Sequence, residues 1–298
     1  MIEVRDLTLR YASGKGVFGL DFSIAQGDVM GYLGPNGAGK TTTIRALMGF
    51  MRPNTGTCSI GGLDCIKHAP IIQKSLGYIP GEINFLDNMR GDEFLQFMQQ
   101  MRRTKDNTRQ KQLLEIFELD PKGKIKKFSK GMKQKLGIVT ACMHNPDVLV
   151  LDEPTSGLDP LMQNRFIDLI LSLKREGKTI LMSSHSFDEV ERTCDNVLII
   201  KEGKILNRSD VQTLKNTQRR GYLIKSQSIT TALQELEASD FEVQQIAGDT
   251  LEVYVTGDQI DRFIKTVARF DVADLDVKNQ SLEDVFMQYY AKEQVNHV

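Results

Sequence analysis

The chain has 298 residues, with 38 Lys and Arg against 39 Asp and Glu, which gives a formal net charge of −1. Its hydrophobic content of 40% is typical of a folded globular protein and excludes a disordered or fibrous chain. This length is long for one hydrophobic core and predicts either one large domain or two unequal domains. The near-zero net charge disfavours a dedicated nucleic-acid binder. No apolar run reaches the roughly 18–20 residues that a membrane-spanning helix needs.

The start of the chain and its cysteines indicate the compartment. Residues 1–11 mix charged and apolar side chains and lack the apolar core of a secretion signal, so we expect the protein to stay in the cytoplasm. The cysteines form no CxxC pair, so neither a zinc site nor a disulfide framework is predicted. They are Cys58, Cys65, Cys142 and Cys194.

The first two thirds of the chain alternate strand-like and helix-like segments. Apolar residues nearly alternate in Ile2–Leu9 and Leu20–Ile24, which predicts an antiparallel start to the fold. Further on, short apolar segments that predict buried parallel strands alternate with amphipathic segments that predict helices. This order predicts an α/β fold with a mostly parallel sheet and crossover helices. The predicted strands are Asp28–Leu33, Asp147–Leu151, Thr179–Ser183 and Val197–Lys201, and the predicted helices are Thr42–Gly49 and Pro160–Glu176.

The segment Gly91–Gly137 interrupts this alternation and is predicted to be an inserted helical subdomain. Within it, Arg102–Lys135 carries 12 basic and 4 acidic residues. We favour the interpretation that these charges form a solvated helical face. A surface that faces acidic lipid headgroups is the alternative.

After about Ser209 the pattern changes to short strands and helices in the order β-α-β-β-α-β, which predicts a ferredoxin-like module. This part is acidic, with 8 basic and 14 acidic residues in 216–298. A turn at Ala247–Thr250 is predicted to join two strands as a hairpin. The predicted strands are Gly221–Ser226, Phe241–Ala247, Leu251–Thr256 and Asp274–Lys278, and the predicted helices are Ser228–Ala238, Asp258–Phe270 and Leu282–Tyr290.

A glycine-rich segment from Gly34 to Thr41 has the spacing G-x-x-x-x-G-K-[ST]. Glycines allow successive backbone N–H groups to converge on phosphate oxygens, and the helix that follows adds its N-terminal dipole. Lys40 supplies a positive charge to the outer phosphates, and the Thr41 hydroxyl can bind Mg²⁺. The segment is therefore predicted to be a P-loop that binds ATP and Mg²⁺. The residues expected at the nucleotide are Gly34, Pro35, Asn36, Gly37, Ala38, Gly39, Lys40, Thr41 and Thr42.

Two acidic residues follow the apolar segment Val148–Leu151. Asp152, at the carboxyl end of the predicted strand, can hold Mg²⁺ through water. Adjacent side chains at a strand end point in different directions, so Glu153 can address the attacking water as general base. Thr41 and Asp152 are therefore the predicted metal-binding residues, and Lys40 and Glu153 are predicted to be catalytic.

Together these residues resemble the ATP-binding subunit of an ABC transporter, over roughly residues 1–203. Glu153–Asp159 resembles the end of the Walker B motif and the D-loop, which implies that Asp159 lies at the nucleotide site. His185 resembles the switch histidine that contacts the γ-phosphate, so it is a further candidate catalytic residue. Tyr11 resembles the aromatic residue on which adenine stacks, with packing on the core as the alternative.

The resemblance implies a P-loop NTPase fold, namely a RecA-like mixed sheet with an antiparallel β subdomain and a helical subdomain at about 85–137. The ATP-binding domain would then cover 1–209, and a C-terminal ferredoxin-like α+β accessory domain would cover 216–298. Ser281–Phe286 resembles the C-terminal extension of ATPase subunits in bacterial drug, antibiotic and peptide exporters.

Phe128–Met132 departs from the family's signature motif, which normally reads Leu-Ser-Gly-Gly-Gln. Ser129 and Gly131 keep the usual residues and can offer a hydroxyl and a backbone N–H to the γ-phosphate held by a partner subunit. Lys130 and Met132 are substitutions that are typical of one exporter subgroup.

Gly81 is the second departure, because it stands where the family usually has glutamine. Glycine has no side chain with which to contact Mg²⁺ or water. Either Glu82 substitutes through a shift of this loop, or the loop serves mainly as a hinge to the membrane subunit.

The resemblance implies ATP hydrolysis coupled to export. Two copies would face head to tail, with Ser129 and Gly131 of each copy completing the P-loop site of the other, and ATP would favour the closed dimer. One chain carries a complete catalytic set, so we favour a homodimer over a heterodimer. A separate transmembrane permease would bind near Gly81–Gln100 and hold the protein at the inner face of the cell membrane. No nucleic-acid partner is expected.

The main alternative is a soluble ABC-type ATPase that acts in translation or DNA repair. The presence of one P-loop and the lack of a sustained heptad run disfavour it. A regulatory ATPase whose tail binds a small ligand is a third hypothesis. We favour a tail that strengthens dimerisation.

Overall fold

The computed structural model describes residues 1–103, 106–213 and 220–278 of the chain. Its contacts divide the chain into two units, Met1–Ser209 and Asp210–Val298, which are treated separately below. Among the described residues, no helix combines the length and the apolar character that crossing a bilayer requires.

The first unit contains two sheets with helices packed on them. Its described strands are β1 (Ile2–Arg10), β2 (Gly16–Ile24), β3 (Val29–Leu33), β4 (Thr55–Ile60), β5 (Leu63–Asp64), β6 (Leu76–Ile79), β7 (Val148–Asp152), β8 (Thr179–Ser184), β9 (Asn196–Lys201) and β10 (Lys204–Asp210). Its described helices are α1 (Lys40–Leu47), α2 (Ala69–Ser75), α3 (Gly91–Arg102), α4 (Thr108–Ile116), α5 (Lys130–Cys142), α6 (Pro160–Arg175) and α7 (Phe187–Thr193), with a 3₁₀ turn at Ile125–Lys127.

The central sheet has the strand order β10-β9-β3-β8-β7-β6. The neighbouring pairs β9–β3, β3–β8, β8–β7 and β7–β6 are all parallel. Every residue of β3, β7 and β8 is buried, because both faces of a parallel sheet are covered. The carboxyl ends of these three strands therefore meet at one edge. Residues 34–41 follow β3, Glu153 follows β7 and His185 follows β8 at this edge.

A smaller antiparallel sheet of order β2-β1-β4-β5 carries the start of the chain. Alternating burial along β1 and β2 places apolar residues on one face, as the sequence pattern predicts. This sheet contributes to the same hydrophobic cluster as β3 and α1. The predicted mixed α/β architecture is thereby confirmed.

The structure also corrects or extends the predicted elements. α1 begins at Lys40 rather than Thr42, since Gly39 supplies the left-handed turn before it, with φ of 116°. β2 begins at Gly16 rather than Leu20. The strands β4, β5, β6 and β10 and the helices α2 and α7 were not predicted. β4 shows why: its sequence TGTCSI has few apolar residues, and its pairing with β1 supplies the order.

The predicted helical insertion is present as α3, α4, the 3₁₀ turn and the start of α5. α5 continues to Cys142, past the predicted end at Gly137, and its second half is buried. A Cβ at Gly137 would lie 2.7 Å from the Cδ1 of Ile83, so glycine at this position lets the Ile83 side chain pack closely against α5. The basic segment thus leads directly into a buried helix of the core.

The second unit has one antiparallel sheet of order β12-β13-β11-β14, with two helices on it. Its core combines buried residues of β11 and β13 with apolar residues of both helices. The predicted hairpin at Ala247–Thr250 is confirmed, and the predicted helix Leu282–Tyr290 and the motif Ser281–Phe286 lie outside the described residues. The elements are β11 (Arg220–Lys225), α8 (Ile229–Ala238), β12 (Glu242–Ala247), β13 (Thr250–Val255), a 3₁₀ turn (Gly257–Gln259), α9 (Ile260–Val267) and β14 (Asp274–Lys278).

Phe263 is the centre of this second core and gives a test of it. Its side chain is 1% exposed, and its ring centroid lies 4.4 Å from that of Tyr222 and 5.7 Å from that of Phe241. We expect Phe263→Ala to lower the free energy of unfolding of this unit by about 3–5 kcal/mol, because it leaves a cavity. The neighbouring Ile264→Ala, at a side chain that is 59% exposed, should change it by less than about 0.5 kcal/mol.

The free energy of unfolding of this unit can be measured in both variants by hydrogen exchange in urea. The exchange is followed at the amides of 220–278 in the full chain. Equal protection in the two variants would contradict this assignment of the core.

Candidate nucleotide-binding site

The glycine-rich loop leaves the buried strand β3 and enters α1 through a backbone that only glycine fits. A Cβ at Gly34 would lie 2.5 Å from the Ile200 carbonyl oxygen, and Gly37 and Gly39 have φ of 82° and 116°. Between Gly34 and Gly39, the tip of the loop at residues 35–37 is exposed. The loop therefore presents backbone at a helix N-terminus, which is suited to binding phosphate.

Lys40 is the first residue of α1 and is buried, with 5% exposure. Its Nζ donates to the carbonyl oxygen of Gly34 at 2.6 Å and to that of Pro35 at 3.3 Å. The Oε1 of Glu153 lies 3.8 Å from the same nitrogen. Burial lowers the pKa of this ammonium, and the charges of Glu153 and Asp152 partly oppose that shift. The positive charge is thus held at the mouth of the loop.

Asp152 ends β7 and is 1% exposed. Its Oδ2 accepts a hydrogen bond from the Thr41 hydroxyl at 2.8 Å, and its Oδ1 accepts one from the Ser183 hydroxyl at 2.5 Å. Two hydroxyl donors compensate part of the cost of burying the carboxylate. The two predicted metal-binding residues, Thr41 and Asp152, therefore lie in direct contact.

Glu153 directly follows Asp152 but turns away from it, with φ of 49° in the left-handed region. Its backbone N–H donates to the carbonyl oxygen of Ser183 at 3.2 Å and to the hydroxyl of Ser183 at 3.0 Å, which holds this turn. The side chain reaches Lys40 and also His185, whose Nδ1 is 3.7 Å from Glu153 Oε2. The three predicted catalytic side chains therefore lie together. The His185 side chain is 66% exposed, so it can reach an external group.

Tyr11 lies beside α1, half-buried against the core. Its hydroxyl is 3.3 Å from the Thr42 Oγ1 and also donates to the sulfur of Met51 at 3.3 Å. These contacts connect the tyrosine to the P-loop helix. Stacking of adenine on the ring stays a prediction.

Gly81 lies against the buried carboxylate at the end of β7. A Cβ at this position would be 3.0 Å from Asp152 Oδ2, which is closer than side chains normally pack. The loop therefore brings its backbone, rather than a side chain, to Asp152. Glu82 is exposed, and its replacement of the usual glutamine stays a prediction.

Ser129 caps the N-terminus of α5 by accepting a hydrogen bond from the Met132 N–H at 3.2 Å, and it is exposed. The next residue, Lys130, crosses to the D-loop (residues 154–159). Its Nζ donates to the Ser156 hydroxyl at 3.0 Å, and its stem lies over Gly157, where a Cβ would be 2.9 Å from the Lys130 Cδ. The unusual residue of the signature motif thus binds the D-loop of its own chain.

Asp159 begins α6 as its N-cap, and its Oδ1 accepts a hydrogen bond from the Met162 N–H at 3.0 Å. Asp is a favoured N-cap residue, and Pro160 after it fits the first position of a helix. The side chain is exposed, and its place at a nucleotide stays a prediction.

Sequence reasoning missed three contacts of this site. Ser183 could have been found, because it lies near the end of β8, directly opposite Asp152 in the parallel sheet. Gln134 is a buried residue of α5 whose Nε2 donates to the Pro154 carbonyl oxygen at 2.6 Å, and no local pattern predicts this. Lys130 was identified only as a substitution, because its partner lies in a distant part of the sequence.

Comparison with known proteins identifies the family. A family model described as ABC transporter matches residues 17–156. The chain is 36% identical to the bacitracin transport ATP-binding protein BcrA of Bacillus licheniformis, over 97% of this chain and 96% of that protein. It is 35% identical to a Nod factor export ATP-binding protein I of Burkholderia orbicola, over 85% of this chain and 86% of that protein. A solved structure of an ATP-binding subunit of an ABC transporter aligns with a TM-score of 0.67 and 29% identity, over 72% of this chain and 92% of that one.

The parallel sheet, the P-loop and the paired acids define a P-loop ATPase. The chain belongs to the ABC transporter family, as one of its ATP-binding proteins. These relatives do not favour the alternative of an ATPase in translation or DNA repair.

The contact between the signature motif and the D-loop gives a testable prediction. Lys130→Met removes the ammonium but keeps most of the stem over Gly157, whereas Lys130→Ala removes both. We expect amide exchange of residues 155–158 to rise by about twofold to tenfold in Lys130→Met and further in Lys130→Ala, because a hydrogen bond and then a packing contact are lost.

The matched control is Lys133→Met on the same helix, because the Lys133 ammonium is bonded to Asp87 instead. It should leave exchange in the D-loop unchanged, as measured by mass spectrometry. An equal effect of Lys130→Met and Lys133→Met would argue against the contact.

Proposed function

We propose that this chain binds ATP with Mg²⁺, hydrolyses it, and thereby energises export through a separate membrane subunit. The observation that carries the proposal is the convergence of one lysine, two acids, a threonine and a histidine at the P-loop. Lys40, Thr41, Asp152 and Glu153 are joined by contacts of 2.8–3.8 Å, and His185 is within 3.7 Å of Glu153.

The proposed Mg²⁺ site consists of the Thr41 hydroxyl and the Asp152 carboxylate. Mg²⁺ is commonly held by one or two carboxylates together with water and substrate phosphates. The direct hydrogen bond between Thr41 and Asp152 supports the proposal, because one ion can contact both oxygens. When bound, the ion would neutralise phosphate charge.

The proposed roles at the reaction follow from position. The Glu153 carboxylate accepts a proton from the attacking water, the Lys40 ammonium binds the β- and γ-phosphates, and His185 contacts the γ-phosphate. The pKa of Lys40 is lowered because burial disfavours its charged ammonium. A bound phosphate would supply negative charge next to the ammonium and thereby stabilise it. The nucleotide would lie along residues 34–42 with its adenine against Tyr11.

We further propose that the working form is a homodimer. The exposed Ser129 and the half-buried Gly131, at the N-terminus of α5, are suited to a phosphate held by a second copy. One chain contains every residue that the two composite sites require, which favours identical partners. Asp159 would lie at the same interface.

An apolar groove of about 620 Å³ in the first unit is the proposed docking site of the membrane subunit. It lies beside the helical insertion, with basic residues Lys74, Arg102 and Arg103 at its rim. Phe50 and Met101 leave 56% and 68% of their surface in contact with solvent, which is unusual for large apolar side chains. Its apolar lining includes Met48, Phe50, Leu76, Tyr78, Met98 and Met101.

We propose that the second unit is a ferredoxin-like accessory domain covering 216–298, joined to an ATP-binding domain at 1–209. The order β-α-β-β-α-β and the sheet order β12-β13-β11-β14 support this assignment. The role we favour for this domain is strengthening of the dimer.

Export is the proposed direction of transport, with the chain at the inner face of the cell membrane and no nucleic-acid partner. One relative supports this direction, since it is called a Nod factor export ATP-binding protein. The transported molecule would be selected by the membrane subunit.

The first test changes the proposed base. Glu153→Gln keeps the shape of the side chain but cannot accept a proton, so we expect kcat for ATP to fall by at least about 100-fold while ATP binding is retained. With ATP and Mg²⁺ the variant should accumulate as a dimer in size-exclusion chromatography. Normal turnover in this variant would remove Glu153 from the proposed role.

The second test concerns the groove. A photo-crosslinking amino acid in place of Met101 should form a covalent adduct with a protein of several membrane spans in intact cells, identified by mass spectrometry. The same amino acid at Leu161, which is 58% exposed on α6, is the control and should not capture it. Equal capture from both positions, or none from Met101, would count against this docking site.

A further inference from the structure

A cavity of about 220 Å³ lies behind the D-loop, between that loop and the segment that carries His185. Thr155, Ser156 and His185 line it, and one buried carboxyl, that of Glu189, enters it from α7. Glu189 is 3% exposed. None of the motifs that define the nucleotide site includes this acid. Burying a carboxyl group costs free energy unless hydrogen bonds compensate for the lost water.

One oxygen of Glu189 contacts both the D-loop and the segment that carries His185. Its Oε2 accepts a hydrogen bond from the Ser184 hydroxyl at 2.5 Å and a longer one from the Thr155 hydroxyl at 3.4 Å. Ser184 directly precedes His185, and Thr155 lies two positions after Glu153. The other oxygen, Oε1, is buried and has no hydrogen-bond partner in the described residues.

Helix capping does not explain this arrangement. The spacing Ser186-x-x-Glu189 matches a capping box, in which the glutamate would accept a bond from the N-cap N–H. The Ser186 hydroxyl does accept a bond from the Glu189 N–H at 3.4 Å, but the Ser186 N–H is already bonded to the Ser184 hydroxyl at 2.9 Å. The carboxyl of Glu189 is therefore directed to the two loops instead.

We propose that Glu189 is a positioning residue for ATP hydrolysis, whose ionised carboxylate holds the His185 segment against the D-loop. This inference rests on the proposed function, because it assigns Glu189 to the orientation of Glu153 and His185. The carboxylate acts through Thr155 and Ser184 and does not touch the nucleotide. Hydroxyl donors bind an ionised carboxylate more strongly than a protonated one, so ionisation tightens both contacts.

The surroundings of Glu189 set the pH at which its carboxyl group ionises. Burial raises the pKa of Glu189 to about 7, while the hydroxyls of Ser184 and Thr155 oppose the shift. The charges of Asp188 and Glu153 add to it, and His185 also faces the cavity. Above about pH 7 the carboxylate is charged and holds both loops, and below it the group is protonated and the contacts weaken. We therefore expect kcat to rise as the pH increases through this range.

Glu189→Gln tests this, because it keeps the shape and one acceptor oxygen but never ionises. At about pH 8.5 we expect kcat for ATP to fall about tenfold, with KM within about twofold of the unsubstituted chain. At about pH 5.5 the two chains should have nearly equal kcat. Both chains carry the same residues apart from position 189, so the ratio of their rates reports Glu189 itself. The control Asp168→Asn, an exposed acid on α6, should keep the unsubstituted profile.

A second measurement needs no nucleotide. In Glu189→Gln, amide exchange in residues 153–158 and 183–189 should be faster than in the unsubstituted chain at about pH 8.5 and equal to it at about pH 5.5. Thr155→Val, which removes one of the two hydroxyl donors, should raise exchange in the D-loop at the higher pH. This variant tests the inference independently of how Glu189→Gln folds.

A rate ratio that stays constant with pH, or unchanged exchange in both variants, would overturn the inference. If Glu153→Gln abolishes hydrolysis while Glu189→Gln matches the unsubstituted chain at every pH, the proposed function stands and this inference alone fails. If the unsubstituted chain neither binds nor hydrolyses ATP, the proposed function fails, and the exchange measurement still decides whether Glu189 holds the two loops.

Discussion

The buried carboxylate of Asp152 is the constraint on which the rest of the site depends. A carboxylate with 1% exposure needs donors close by, and the structure provides them from two other strands' ends. Thr41 comes from the first turn of α1, which follows β3 and the glycine-rich loop, and Ser183 comes from β8. The parallel sheet therefore does more than bury apolar residues. Its register, with Asp152 opposite Ser183, fixes the distance between the P-loop and the acids that follow β7.

The segment after Asp152 is held from two sides. From the helical insertion, Gln134 binds the Pro154 carbonyl and Lys130 binds Ser156. From the other side, Glu189 reaches Thr155. Because Glu153 lies in this segment, the signature helix and the His185 segment both influence its position. A departure from the usual signature is thereby explained in part, since the lysine stem lies over Gly157 where a side chain would not fit.

Much of the nucleotide site could be predicted because its residues are adjacent in sequence and repeat a known spacing. The P-loop and the two acids after β7 are of this kind, and the carboxyl ends of parallel strands bring them together. Strands such as β4 and β6 were missed, because one is rich in polar residues and the other is short. The predicted helical subdomain was placed up to Gly137, whereas α5 continues to Cys142 and Gly137 packs closely against Ile83.

The sequence by itself determined the P-loop chemistry, the alternation of strands and helices, and the change to a second unit near Ser209. These depend on local spacing and on the period of apolar residues, which a chain carries in its order. Only the tertiary structure decided which hydroxyls satisfy Asp152, that Lys130 binds the D-loop of its own chain, and that Glu189 lies between two loops. Most of these contacts join residues far apart in sequence, so no local pattern predicts them. At Asp152, burial adds a further reason, because a buried carboxylate without donors is costly.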